Sequence, residues 1–122
     1  MNRVAFLLDE HVPRAVARAV LNAEPTTKLG TVGVDDWVPR AGTSDRDLLI
    51  FAESKQLLVV TYDKITMPGH NAVHQTAGRH TWGVIVVPKG KRLFPGVIAR
   101  ELLIVLLASE ADEWIDQPAY LP

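Results

Sequence analysis

The stretch VAFLLDEHVPRAV, residues 4–16, decides the fold. Five apolar residues run without interruption through residues 4–8 and stop on two adjacent carboxylates, Asp9 and Glu10. A continuous apolar run of this length is the pattern of a strand buried on both faces, as in parallel sheets, rather than the alternation of a half-exposed strand. Pro13 then stands where a first-turn proline is tolerated, and Val12, Val16, Ala19 and Val20 form one apolar stripe to about Leu21. A buried strand followed at once by an amphipathic helix is the opening of a β–α–β unit.

The same alternation continues outward. A second strand is expected within residues 29–34. The segment AGTSDRDLLIFAESK carries a helix start, with Ser44 as N-cap, Asp47 three residues later and Leu48, Leu49, Phe51 and Ala52 facing inward. QLLVVTYD supplies a third strand over residues 57–60, and WGVIVVPKG a fourth over residues 83–87. Residues 64–82, between them, are read as a loop. A helix is expected over residues 94–109, beginning near Pro95 and apolar on most of its circumference, so that it is either sandwiched in the core or covered by another subunit. That surface predicts a homodimer. The tail, with Trp114, Ile115, Tyr120 and Leu121, is read as a short edge strand. This pattern predicts right-handed crossovers, a mainly parallel sheet and helices on both faces, a three-layer α/β/α domain over residues 1–122.

In such a sheet ligands bind beyond the carboxyl ends of the strands. Asp9 and Glu10 fall there after the first strand, and Asp63 after the third. Asp45 and Asp47, in the first turn of the helix that follows the second strand, face the same edge. Like charges a few ångströms apart repel more strongly as the dielectric falls, so gathered carboxylates either take up protons or share a cation. Mg²⁺ and Mn²⁺ prefer oxygen ligands and leave positions for water and phosphate oxygens. Each acid also has a plainer use. Asp9 and Glu10 favour the positive end of the following helix, Asp45 and Asp47 are ordinary at a helix start, and Asp63 can close an Asx-turn. Thr61 is read as a partner for backbone or for a neighbouring carboxylate. It is the joint arrival of these acids at one edge that points to a metal cleft.

Composition bounds the alternatives. The chain has 122 residues, 48% hydrophobic, with a mean hydropathy of +0.09, enough for one domain with its own core. Thirteen basic and fourteen acidic residues leave a formal charge of -1, so any nucleic-acid partner must be held locally. Arg79, Lys89, Lys91 and Arg92 are candidates for phosphate contacts or plain solvated surface. Cysteine is absent, which removes thiolate metal sites and disulfides. The start MNRVAFLLDE does not read as a signal peptide, and residues 97–108 are too short and too charged to span a bilayer. A cytoplasmic location is expected. His70, His74 and His80 lie in the 64–82 segment, and the spacing of the first two is that of metal ligands if a helical turn forms there, although a mobile loop over the cleft is the simpler reading.

FLLDEHVPRAVARAV, AGTSDRDLLIFAESKQLLVVTYDK and WGVIVV together resemble the PIN-like proteins of the DUF5615 type, relatives of the toxin nucleases of VapC toxin-antitoxin modules. The resemblance covers residues 4–87. It implies a PIN-like α/β/α fold and a Mg²⁺- or Mn²⁺-dependent ribonuclease-like site, with the family's acids falling on Asp9, Asp45 and Asp63. A small antitoxin partner is also implied. The family's third motif reads TxDxDF, whereas this chain continues TYDKITM, with Ile65 at the place of the second acid. A PIN-like fold that has lost catalysis and binds protein is therefore an alternative. A second alternative is a phosphoacceptor receiver domain with Asp63 as acceptor. Its proline loop would be one residue out of register at residues 67–69, and too few elements are expected after the third strand for its five-fold alternation.

Overall fold

The computed structural model describes residues 3–62, 67–92 and 94–120, without the side chains of residues 67–71 and 91. The element order is β1(Phe6–Leu8), α1(Arg14–Ala23), β2(Leu29–Thr31), α2(Asp45–Lys55), β3(Leu58–Thr61), α3(Met67–Thr76), β4(Val84–Val86), α4(Pro95–Ala108) and β5(Pro118–Tyr120), with short 3-10 turns at Lys89–Lys91 and Ala111–Trp114. All five strands are parallel and lie in the order β2-β1-β3-β4-β5.

β1 is the hub of the sheet. Phe6 is in register with both Leu29 and Leu58, and Leu8 with both Thr31 and Val60. Its three residues are fully buried because the sheet is covered on both faces. Phe6, Leu8, Leu58, Val60, Ile85 and Val87 point to one face, where α1 packs on α4 through Val16, Val20, Ile98, Leu102 and Leu106. Leu7, Val59, Val84 and Val86 point to the other, under Leu48, Leu49 and Ala52 of α2. Each such leucine, isoleucine or phenylalanine contributes roughly 1.5–3 kcal/mol through burial. The α/β/α layering expected from the apolar runs is therefore the observed one.

Ser44 caps α2 as expected, its Oγ accepting from the Asp47 N–H at 3.2 Å. Two expectations fail. Residues 67–76 form helix α3 rather than a loop. Pro68 and Gly69 read as breakers, but Pro68 occupies the first turn, where its missing N–H costs no hydrogen bond. The handedness expectation fails at the last crossover. The step from β1 to β2 has α1 on one face, and the steps from β2 to β3 and from β3 to β4 run the opposite way with α2 and α3 on the other face, so all three share one hand, the right-handed one. The step from β4 to β5 continues in that second direction, yet α4 lies beside α1. That connection is left-handed. Burial of the apolar face of α4 on α1 outweighs the usual preference, and β5 is a short edge strand that a returning chain can reach from either side.

The return is fastened at the amino edge of the sheet. His80 Nδ1 and Asp116 Oδ2 are 2.9 Å apart, the Thr81 N–H donates to Asp116 Oδ1 at 2.9 Å, and the Asp116 N–H donates back to the Thr81 carbonyl. The hydrogen bond with Asp116 raises the His80 imidazole above its ordinary range, and the same bond lowers the Asp116 carboxyl. Glu53 of α2 accepts from Arg79 Nε and from the His80 N–H, each at 2.9 Å. His74 is buried here, its Nε2 facing the His80 carbonyl at 2.9 Å and Glu53 Oε1 at 3.4 Å. It is a tie between α3 and α2 at the opposite edge from Asp9, not a cleft ligand.

Gly83 sits where the tail crosses β4, with φ +103. A Cβ there would stand 2.9 Å from the Trp114 Cβ and 3.0 Å from its carbonyl oxygen. Gly83→Ala is expected to cost about 2 kcal/mol or more in urea unfolding, from backbone strain and overpacking together. An unchanged midpoint would contradict the described packing of Trp114.

Candidate metal-binding cleft

β1 sends its helix to one face of the sheet and β3 sends its helix to the other, so a crevice opens between their carboxyl ends. Asp9 and Thr61 stand at its two sides. The Asp9 N–H donates to the Val60 carbonyl at 2.9 Å, extending the ladder one residue beyond β1. Its carboxylate is then held at both oxygens: Oδ1 accepts from the Glu10 N–H at 2.7 Å, and Oδ2 accepts from the fully buried Thr61 hydroxyl at 3.0 Å. The Asp9 carbonyl accepts from the Val12 N–H at 3.0 Å, which turns the chain into α1.

Asp9 is only 8% exposed. Burial pushes its carboxyl above the usual carboxylate range, and the nearby negative charge of Asp45 pushes it the same way. The Thr61 hydroxyl, the Glu10 N–H and the charge of His11 oppose that shift without cancelling it. Asp9 and Asp45, 36 positions apart in the sequence, are therefore brought within electrostatic reach of one another. Asp45 is half-buried at the start of α2.

The remaining candidates are placed less centrally. Glu10 is exposed, with Oε1 accepting from the Gly42 N–H at 3.4 Å, a contact that ties the β1 turn to the loop before α2. Asp47 is exposed, and its N–H takes the Ser44 cap. Asp63 and Ile65 lie outside the described residues, as does the side chain of His70. Arg92 bonds the chain rather than standing free as a phosphate contact. Its guanidinium donates to the carbonyls of Tyr62 and Val87 and lies 4.7 Å from the Tyr62 ring centroid, joining the ends of β3 and β4 beside the crevice. His11 was not singled out by sequence reasoning, although its position directly after the two acids was a usable signal.

Hard oxygen donors that repel one another, Asp9 buried and Asp45 half-buried, fit Mg²⁺ or Mn²⁺ better than a softer ion. Among the described residues no group of three His, Cys, Asp or Glu side chains could hold a metal ion by itself. Asp9 and Asp45 are the two carboxylates that the described residues bring into electrostatic reach of one another at this edge. Among the described residues, no helix is long and apolar enough to cross a membrane. Compared with family models, with curated proteins and with solved structures, the chain gives no match.

A raised carboxyl has a defined signature. Its favourable contribution to folding is complete below the unfolded-state pKa and is lost as pH rises through the folded-state value. Asp9→Asn keeps an acceptor for the Glu10 N–H and lets the Thr61 hydroxyl rotate to meet the amide. In chelator at pH 7, Asp9→Asn is expected to melt at a higher temperature than the parent, and the difference should vanish toward pH 3. A lower melting temperature at pH 7 would show that the ionised carboxylate is stabilising where it sits.

Proposed function

We propose that this chain is a PIN-like, Mg²⁺- or Mn²⁺-dependent ribonuclease, the toxin component of a toxin-antitoxin module. The observation that carries the reading is the buried Asp9 carboxylate at the β1/β3 crevice, raised by burial and by Asp45. Burial and the Asp45 charge make ionisation of such a group costlier, and a bound cation would offset that cost. Asp9, Asp45 and Asp63 would hold the ion, which when bound would activate water and balance charge at the phosphodiester. Thr61 orients Asp9, Glu10 supports the turn through Gly42, and Glu10 or Asp47 would assist through a water. RNA is the substrate and a small antitoxin the partner in this reading.

Two other readings draw on particular observations. Ile65 in place of an acid favours a catalytically degenerate, protein-binding form. The strand order β2-β1-β3-β4-β5 is that of flavodoxin-like and receiver domains, so the shortage of elements raised against a receiver does not hold. The position of α4 counts against it instead. Right-handed winding in that order would put the helix between β4 and β5 beside α2 and α3, and here it lies beside α1.

Cleavage of single-stranded RNA under a Mn²⁺ titration tests the assignment. Asp9→Asn and Asp63→Asn should each slow cleavage at least about 100-fold, the scale of losing a group that stabilises transition-state charge. Thr61→Val should cost roughly 10–100-fold, the range for a residue that orients a ligand. Equal rates for parent and both aspartate variants would refute it. Labelling of Asp63 by a small phosphodonor, without metal-dependent cleavage, would support the receiver reading.

The homodimer is proposed on the outer face of α4, where Ile104 is 52% and Leu107 65% exposed while Leu102 and Leu106 are buried on α1. Light scattering on the eluting peak should give twice the 13.4 kDa chain mass, and Leu107→Glu should give the chain mass. One chain per particle for the parent would remove the dimer.

A further inference from the structure

α2 and α3 pack side by side, and a cavity of about 420 Å³ opens between them. Its walls are apolar, Leu49 and Ile50 from α2 and Val73 and Ala77 from α3, with Val73 70% exposed at the rim. The charged groups that line it are both cations. Arg46, in the first turn of α2, has no hydrogen-bond or ion-pair partner among the described residues. Arg79 enters from just past α3, where the backbone fixes its position. Gly78, at φ +80, ends the helix, its N–H donating to the Gln75 carbonyl at 2.9 Å while the Arg79 N–H donates to the His74 carbonyl at 3.2 Å. These are the paired bonds of a Schellman turn. Glu53 then accepts from Arg79 Nε at 2.9 Å, which orients the guanidinium and leaves its terminal N–H groups without a partner among the described residues. His74 completes the wall with its Nε2 already facing the His80 carbonyl.

A concave, mostly apolar space of roughly 300–1,000 Å³ with a few polar groups converging on it is the form of a small-molecule site. The chemistry of the walls restricts the occupant. A bare inorganic anion would leave the apolar walls uncovered, and a neutral hydrocarbon would desolvate the guanidinium groups without pairing them. Two guanidinium groups less the Glu53 carboxylate bonded to one of them leave a single positive charge, which a singly charged head matches. The planar guanidinium fork fits the planar carboxylate, with two parallel N–H donors for two oxygens. We propose that the α2/α3 cavity binds a small carboxylic acid with an apolar body. Its carboxylate is held by Arg46, Arg79 adds to the positive field, and the body lies along Leu49, Ile50 and Val73. Asp9, Glu10 and Thr61 are not among the residues lining this cavity, so the site stands apart from the metal cleft and does not rest on the ribonuclease reading.

Amide NMR titrations of the protein with octanoate test the site. Saturable shifts are expected at Ile50, Val73 and Ala77. Octanol, which has the body without the charge, and acetate, which has the head without the body, should each bind at least about tenfold more weakly. Arg46→Gln should weaken octanoate binding about tenfold, the scale of one lost charge-assisted hydrogen bond, and Val73→Gln about threefold through lost apolar contact. Arg46 has no partner to lose and Val73 is exposed, so both variants should keep the parental melting temperature when octanoate is absent. The proposal is overturned if octanoate gives no saturable shifts, if the shifts centre outside the α2/α3 cavity, if octanol binds as tightly as octanoate, or if folded Arg46→Gln binds octanoate as tightly as the parent.

Discussion

The structure depends on one buried contact, the hydrogen bond from the Thr61 hydroxyl to the Asp9 carboxylate across the ends of β1 and β3. It spans 52 positions in sequence and joins the two strands whose helices leave to opposite faces. The apolar runs of β1 and β3 must pair in one register for it to form, with Leu8 opposite Val60. A slip by one residue would reverse every inward side chain and carry both polar groups away from each other. Core packing and site geometry are thus specified by the same register.

The contact is incomplete as a way of keeping Asp9 charged. One hydroxyl and one N–H donate to the carboxylate, and burial together with Asp45 still leaves it harder to ionise than in water. Packing a leucine there would be simpler if stability were the only demand. In the proposed function the unmet charge is the reason for the residue: a cation recovers the cost of burial and gains a water and a phosphate in return. On the far side of the molecule the acids behave differently. Glu53 and Asp116 are met by Arg79, His80 and backbone N–H groups, and their carboxyls are held low. The carboxylates that fasten the fold at the amino edge are held low, whereas burial raises Asp9 at the crevice.

What could be read from the sequence followed the range of the interactions. β1, α1, the Ser44 cap of α2, β3, β4 and α4 are local patterns of burial period and capping, and all were legible, with ends shifted by a residue or two. α3 was missed because Pro68 and Gly69 signal a break unless their place in a first turn is known. The left-handed return to β5 was not legible at all, since it follows from α4 choosing α1 as its neighbour, a choice made by three-dimensional packing. In the site, the position of Asp9 at the sheet edge and its partnership with a nearby group such as Thr61 could be inferred from strand ends. The clasp made by Arg92 and the burial of His74 against Glu53 could not, because each joins segments whose proximity the chain does not declare.

The central claim is that the Asp9 carboxylate is held in an electrostatic environment that a divalent cation relieves. A carbon-13 NMR titration of the Asp9 side-chain carboxyl, with and without Mg²⁺, measures this directly. The account predicts a midpoint above the ordinary value of 3.8 in the free protein and a marked fall when Mg²⁺ is present. A midpoint at or below that value, unmoved by Mg²⁺, would contradict it.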